Sequence, residues 1–161
     1  VNLSYDFVAG AKYKNSRLQH EKHLRIFFSV NSHSRHATLF LMGIIMGYKG
    51  STLLTNEFLL KEDYLLSPDG KHQFILQDDG NLVLYRLSDH KALWASNTNG
   101  KAVSKAIMQQ DGNFVIYGYP GPVWASDTNG KPNSTLIAQN DGNVVIYEPT
   151  VPVWATGTNG Q

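Results

Sequence analysis

Cysteine is absent from all 161 residues. The fold is therefore held without disulfides and needs no oxidising compartment, and thiolate metal sites and thiol catalysis are excluded. An excess of one charge is missing too: 14 Lys/Arg stand against 13 Asp/Glu, a formal net of +1. Residues 1–50 hold seven Lys/Arg and two Asp/Glu, whereas residues 51–161 hold seven and eleven. The longer, mildly acidic part suits a phosphate backbone poorly, so nucleic acid is not an expected partner. No apolar run reaches the ~20 residues of a membrane-spanning helix. The nearest, Ala37 to Tyr48, admits three readings. Its length and the preceding Arg35 fit the core of a secretory signal, although no clear small-x-small cleavage site follows. It fits a buried strand or short helix as well. In the third reading the native chain starts at Met42 or Met46, because residues 1–45 carry no repeat character. Localisation stays open between secreted and cytoplasmic.

Tryptophan is scarce, and its placement is informative. Trp94, Trp124 and Trp154 stand 30 residues apart, and each opens a similar segment: Trp94-Ala95-Ser96-Asn97-Thr98-Asn99-Gly100, Trp124-Ala125-Ser126-Asp127-Thr128-Asn129-Gly130 and Trp154-Ala155-Thr156-Gly157-Thr158-Asn159-Gly160. Upstream of each lies a complete Gln-x-Asp-x-Asn-x-Val-x-Tyr: Gln77, Asp79, Asn81, Val83 and Tyr85; Gln109, Asp111, Asn113, Val115 and Tyr117; Gln139, Asp141, Asn143, Val145 and Tyr147. A period near 30 means repeat architecture in which one unit cannot bury its apolar face alone. A pseudo-threefold axis is the simplest way to bury three equivalent tryptophans together. The first copy carries a longer loop through Ser88, Asp89, His90 and Lys91, a candidate for obstructing its own site.

Each repeat reads as antiparallel β-structure. Asp79-Gly80, Asp111-Gly112 and Asp141-Gly142 are turn dipeptides, since Gly tolerates positive φ and Asp bonds its own backbone. Alternating runs flank each turn, a further strand leads to each Trp, and Asn-Gly pairs mark further turns. Alternation sends Leu82/Leu84, Phe114/Ile116 and Val144/Ile146 into the core. The opposite face presents Asn, Val and Tyr, with Gln and Asp brought beside them by the hairpin. That set makes a shallow polar pocket around one valine. It suits a pyranose, whose hydroxyls both donate and accept: Asp accepts, Asn and Gln do both, Tyr does either, and Val packs on the C–H face.

These residues, the repeat length and the spaced tryptophans resemble the monocot mannose-binding lectins, also called bulb-type or snowdrop-agglutinin-like lectins, over about residues 50–161. The resemblance implies an all-β fold, the β-prism II, with three four-stranded antiparallel sheets in pseudo-threefold symmetry. It implies a lectin domain at 50–161 behind a 1–49 extension of unknown structure, with no catalysis, cofactor or metal. It further implies that Asp79/Asn81, Asp111/Asn113 and Asp141/Asn143 read the axial 2-hydroxyl of α-D-mannose. Gln77, Gln109 and Gln139 then take the 3-hydroxyl region, Tyr85, Tyr117 and Tyr147 the 4-hydroxyl, with Val83, Val115 and Val145 beneath. Expected partners are mannose-rich glycans or glycoproteins, in defence or cell-surface recognition, and a second copy through exchange of the C-terminal strand, within Val151 to Gln161. Many plant members carry a cysteine pair that closes a loop; its absence here favours the cysteine-free relatives of fish, fungi and bacteria.

Plainer readings stand beside these. Tryptophans at this spacing are expected to pack the core rather than to stack on ligand. His20/His23 and His33/His36 are too sparse a set for metal ligation. Asn2-Leu3-Ser4 and Asn133-Ser134-Thr135 match glycosylation acceptors, relevant only to a secreted chain. The competing function is a protein-interaction or bacteriocin-like module of the same fold without sugar binding. Intact Asp, Asn and Tyr in every copy argue against it. An enzyme lacks support, because one carboxylate per unit offers no acid/base pair.

Overall fold

A computed structural model of the chain describes residues 47–161, within the compact unit Met46–Gln161. The four N-terminal histidines, the Asn2 acceptor, the candidate starts at Met42 and Met46, and the apolar segment up to residue 46 lie outside the described residues.

Twelve strands form the domain. Three short ones come first: β1 (Thr52–Leu53), β2 (Phe58–Leu60) and β3 (Tyr64–Leu66). The first repeat supplies β4 (His72–Leu76), β5 (Leu82–Arg86) and β6 (Lys91–Ala95). The second supplies β7 (Val103–Met108), β8 (Phe114–Gly118) and β9 (Pro122–Ala125), and the third β10 (Thr135–Ala138), β11 (Val144–Glu148) and β12 (Val151–Ala155). They pair antiparallel as β3-β4-β5-β6, β2-β7-β8-β9 and β1-β10-β11-β12. The result is the three four-stranded sheets that the resemblance implies. Each repeat builds three strands of its sheet, and residues 52–66 give one edge strand to each.

Period-2 alternation explains which faces meet. Leu53, Leu59 and Leu65, one from each short strand, are buried together with Phe74, Leu82 and Leu84 and their counterparts Phe114, Ile116, Val144 and Ile146. The three tryptophans close this core. Their ring centroids lie 5.6–5.7 Å apart, each pair edge-to-face. That geometry suits the aromatic quadrupole and adds to the area buried. Core packing, the plainer reading of the tryptophans, is what the structure has.

The hairpin turns differ in detail from a two-residue Asp-Gly turn. Gln77 O accepts from Gly80 N (3.0 Å) and Gln77 N donates to Asn81 O (2.8 Å), so three residues cross the loop. The glycine is the left-handed third, with φ of 88° at Gly80, 89° at Gly112 and 82° at Gly142. A turn closed this way, followed by a left-handed residue, matches the right-handed twist of the strands that it joins.

Candidate functional site

The turn places the acid. In each copy one carboxylate oxygen, Oδ1, accepts the backbone N–H of the motif asparagine: Asn81 to Asp79 at 2.9 Å, Asn113 to Asp111 and Asn143 to Asp141 both at 3.0 Å. That bond fixes χ1 of an otherwise exposed side chain. The carboxylate therefore presents its second oxygen, Oδ2, in a set direction at the surface.

The asparagine is fixed from the opposite side. Asn81 Oδ1 accepts from Ser96 Oγ (3.1 Å) and from the backbone N–H of Thr98 (3.2 Å). Asn113 does the same with Ser126 and Thr128, and Asn143 with Thr156, Gly157 and Thr158. A backbone N–H only donates, so the atom facing it must be the amide oxygen, and Nδ2 points away as a donor. Buried hydroxyls buttress the whole turn. Thr98 Oγ1 donates to Gly80 O at 2.7 Å and lies 2.7 Å from Ser96 Oγ, which accepts from Leu82 N; Thr128 repeats the bond to Gly112 O. These Ser and Thr residues are not among the expected site residues, yet they orient the site. The signal for them was present: they are the repeated Ser/Thr-x-Thr after each tryptophan, at the same offset as the motif they hold.

Gln and Tyr form the other wall. Nε2 of Gln77, Gln109 and Gln139 donates to the phenol of Tyr85, Tyr117 and Tyr147 at 2.9, 2.9 and 2.8 Å. Each phenol thus has an acceptor position filled and its own proton free to donate. The pairing register shifts between Leu84 and Tyr85, Ile116 and Tyr117, and Ile146 and Tyr147, a bulge at the same place in every sheet. Such bulges re-aim a side chain. The Gln–Tyr bond crosses the row in which Ile75 faces Val83. This is why Val83, Val115 and Val145 are only 2, 3 and 3% exposed. Alternation suggested a presented apolar patch, whereas the valines are a floor under the polar rim.

All fifteen expected residues are thus gathered five to a sheet, in three copies on separate faces. The copies are not identical beneath. Gly142 of the third turn rests on the imidazole of His72, which is buried with both ring nitrogens unpartnered. The first turn rests instead on Lys101 and Val103, and the second on Lys131. In the first copy the longer loop is held by two bonds from Arg86 to Asp89, at 3.0 and 2.6 Å. Tyr85 stays partly exposed, like Tyr117 and Tyr147, so the loop does not bury it.

The Arg86 guanidinium holds the Asp89 carboxyl down to about 2. A depressed acid contributes stability above its unfolded value near 4, and loses that contribution as pH falls toward 2. In Arg86→Gln the Asp89 carboxyl is expected to titrate higher, back toward the ordinary carboxylate range, as read by carbon-detected NMR. An unchanged midpoint would remove the pair as the cause.

No protein-family profile matches the chain. Individual proteins do. The mannose-specific lectin of Galanthus nivalis is 46% identical over 71 residues, 44% of this chain and 39% of that protein. The first curated relatives are matched over only 39–56% of their own length. Solved structures are matched almost end to end. A monomeric monocot mannose-binding lectin from Gastrodia elata is 45% identical, with a TM-score of 0.61 over 68% of this chain and 98% of that one. The snowdrop agglutinin, solved with methyl-α-D-mannoside, is 43% identical, with a TM-score of 0.55 over 68% and 97%. Three prism faces, three copies of one polar motif and near-complete coverage of these structures lead to one assignment: the chain belongs to the monocot mannose-binding lectin family and has its β-prism II fold.

Proposed function

We propose that this domain, residues 50–161, is a non-catalytic lectin that binds α-D-mannose and mannose-rich glycans through three shallow sites. The observation that carries the reading is the fixed pair at each turn. An asparagine N–H donor, its oxygen pinned by a backbone N–H, stands beside a carboxylate whose Oδ1 is held by an Asx bond and whose Oδ2 is left to accept. A hydroxyl that donates to the acid and accepts from the amide satisfies both. The axial 2-hydroxyl of mannose is such a group, and the relatives whose names specify mannose support it. The phenol and glutamine then meet the next hydroxyls around the ring, over the valine floor.

Four to six hydrogen bonds at about 0.5–1.5 kcal/mol each, less the cost of association, leave a roughly millimolar site. Glucose turns the 2-hydroxyl equatorial and leaves the donor–acceptor pair unmatched, at about 1–3 kcal/mol. Function therefore depends on several sites engaging one glycan-coated surface, where avidity rises about 10²–10⁴-fold. Exchange of the edge strand β12 between two copies would preserve every pairing of its sheet, so a dimer fits the same reading.

Calorimetry with methyl α-mannoside and its glucose epimer tests the proposal. Heat with mannoside alone, fitted by three weak sites, is expected, with two sites in Asp111→Ala. Asn113→Ala is the poorer probe, because it also strands the Thr128 N–H and Ser126 hydroxyl that hold the turn. Equal heats from the two sugars would refute the assignment of the axial hydroxyl.

A further inference from the structure

The polar motif is the same in the three sheets, but the strand beside it is not. On the outer face of the second sheet, Phe58 of β2 pairs with Ile107 of β7, which pairs with Val115 of β8. Leu60, Lys105 and Tyr117 make the adjacent row. Phe58 and Leu60 are 41 and 48% exposed, while Leu59 between them points into the core. Lys105 leans along the sheet until Nζ is 5.6 Å from the Phe58 ring centroid. Ser104, Lys105, Ile107, Gln109, Tyr117 and Gly118 line one groove, which reaches from Ile107, the pairing partner of Phe58, to the Gln109–Tyr117 wall.

The other sheets are built differently here: the first has an exposed aromatic, Tyr48 at 46%, but one strand further out, and neither has the lysine. Beside Ile75 in the first stands Tyr64, partly buried, its ring 5.7 Å from that of Tyr48, and Gln73 replaces Lys105. Beside Ile137 in the third stands Thr52, and Thr135 replaces Lys105.

We propose that the second site carries an adjoining subsite for a second hexopyranose, with Phe58 as its apolar platform and Lys105 as its hydrogen-bond donor. The inference rests on the mannose reading of the Gln109–Tyr117 site and deepens it. Neighbouring strands lie about 4.8 Å apart, so Phe58 is about 10 Å from Val115. A mannose seated above Val115 leaves its linked neighbour above Ile107 and against the aromatic ring. The C–H face of a pyranose is apolar, and covering an exposed ring removes both surfaces from water. The Lys105 ammonium offers three donors to the hydroxyls around that ring. The three sites thus share one primary contact but rank extended glycans differently.

NMR titration of the full chain separates the sites, because the Gly80, Gly112 and Gly142 amides each report one turn. The probes are methyl α-mannoside and an α-linked mannobiose. At Gly112 the disaccharide is expected to bind about fivefold more tightly than the monosaccharide. In Phe58→Thr, which places there the residue type of the third sheet, that ratio is expected to fall to the value at Gly142, with monosaccharide affinity unchanged. Lys105→Gln, the residue type of the first sheet, is expected to reduce the ratio about twofold without touching the edge strand. A ratio at Gly112 that survives both substitutions, or equal ratios at the three glycines of the unaltered chain, overturns the subsite alone. Silence of all three glycines with the monosaccharide, from a folded sample, overturns the mannose reading and the subsite with it.

Discussion

Replacing Trp124 by alanine is expected to remove about 3–5 kcal/mol of stability, a large share of the 5–15 kcal/mol typical of a domain. Trp124 touches Trp94 and Trp154 edge-on at 5.6 and 5.7 Å and Phe114 at 6.4 Å. Each of these partners comes from a strand of a repeat, and together they span all three sheets. Alanine deletes the ring on which the other two indoles lean. The cavity lies where the sheets converge, so no single sheet can collapse into it without leaving its neighbours. Thermal denaturation followed by circular dichroism should show a midpoint lower by on the order of 15 °C. Trp124→Phe, which keeps an aromatic edge, should recover much of the loss. The three proposed sugar sites should fail together, in step with the folded fraction. A loss below about 1 kcal/mol would mean that the indoles are surface rings and not the closure of the core.

The second large effect is local. Gly112→Ala is expected to cost about 3 kcal/mol and to remove one of the proposed sugar sites, whereas Gly100→Ala costs about 1. Both glycines are left-handed, with φ of 89° and 77°, so both substitutions carry the same conformational penalty. They differ in surroundings. A Cβ at Gly112 would run into the backbone carbonyl of Lys131, whose N–H donates to Asp111 O. At Gly100 nothing lies within 4 Å. Backbone cannot swing aside as a side chain would, so relief must come from moving the Asp111–Asn113 turn itself. Urea denaturation of the two variants, with a mannoside titration of each, separates strain from collision. Equal losses would show that φ alone matters and that the turn is free to shift.

The nine repeat strands and their facing were legible because the repeat states each rule three times. Leu82, Phe114 and Val144 share one offset, and so do the tryptophans, which left little freedom in assigning the inward face. The edge strands β1–β3 were not legible. They are two or three residues long, too short to show alternation, and two of the turns between them use Asn56 and Glu62 at φ of 69° rather than glycine. The partners of β1 and β2 lie far along the chain, where no local pattern points. At the site, the polar residues were readable from their identity and spacing. The burial of the valines was not, since it depends on a Gln–Tyr bond that arches over them. Nor was the difference between the flanks, which follows from which short strand joins which sheet.

That distribution of residues 52–66 has a consequence for biosynthesis. Leu53 of β1 faces Leu136, more than 80 residues later. At roughly 5–20 residues per second, a nascent chain exposes this segment for several seconds before its last partner exists. Docking can proceed only in reverse. β3 is taken up when the first repeat emerges, β2 with the second, and β1 with the third. Of Leu53, Leu59 and Leu65 the first made is the last to be sheltered, so the ribosome-bound intermediate trails an apolar thread whose length shortens by one strand per repeat. A chaperone that holds that thread would matter most for the strand synthesised first.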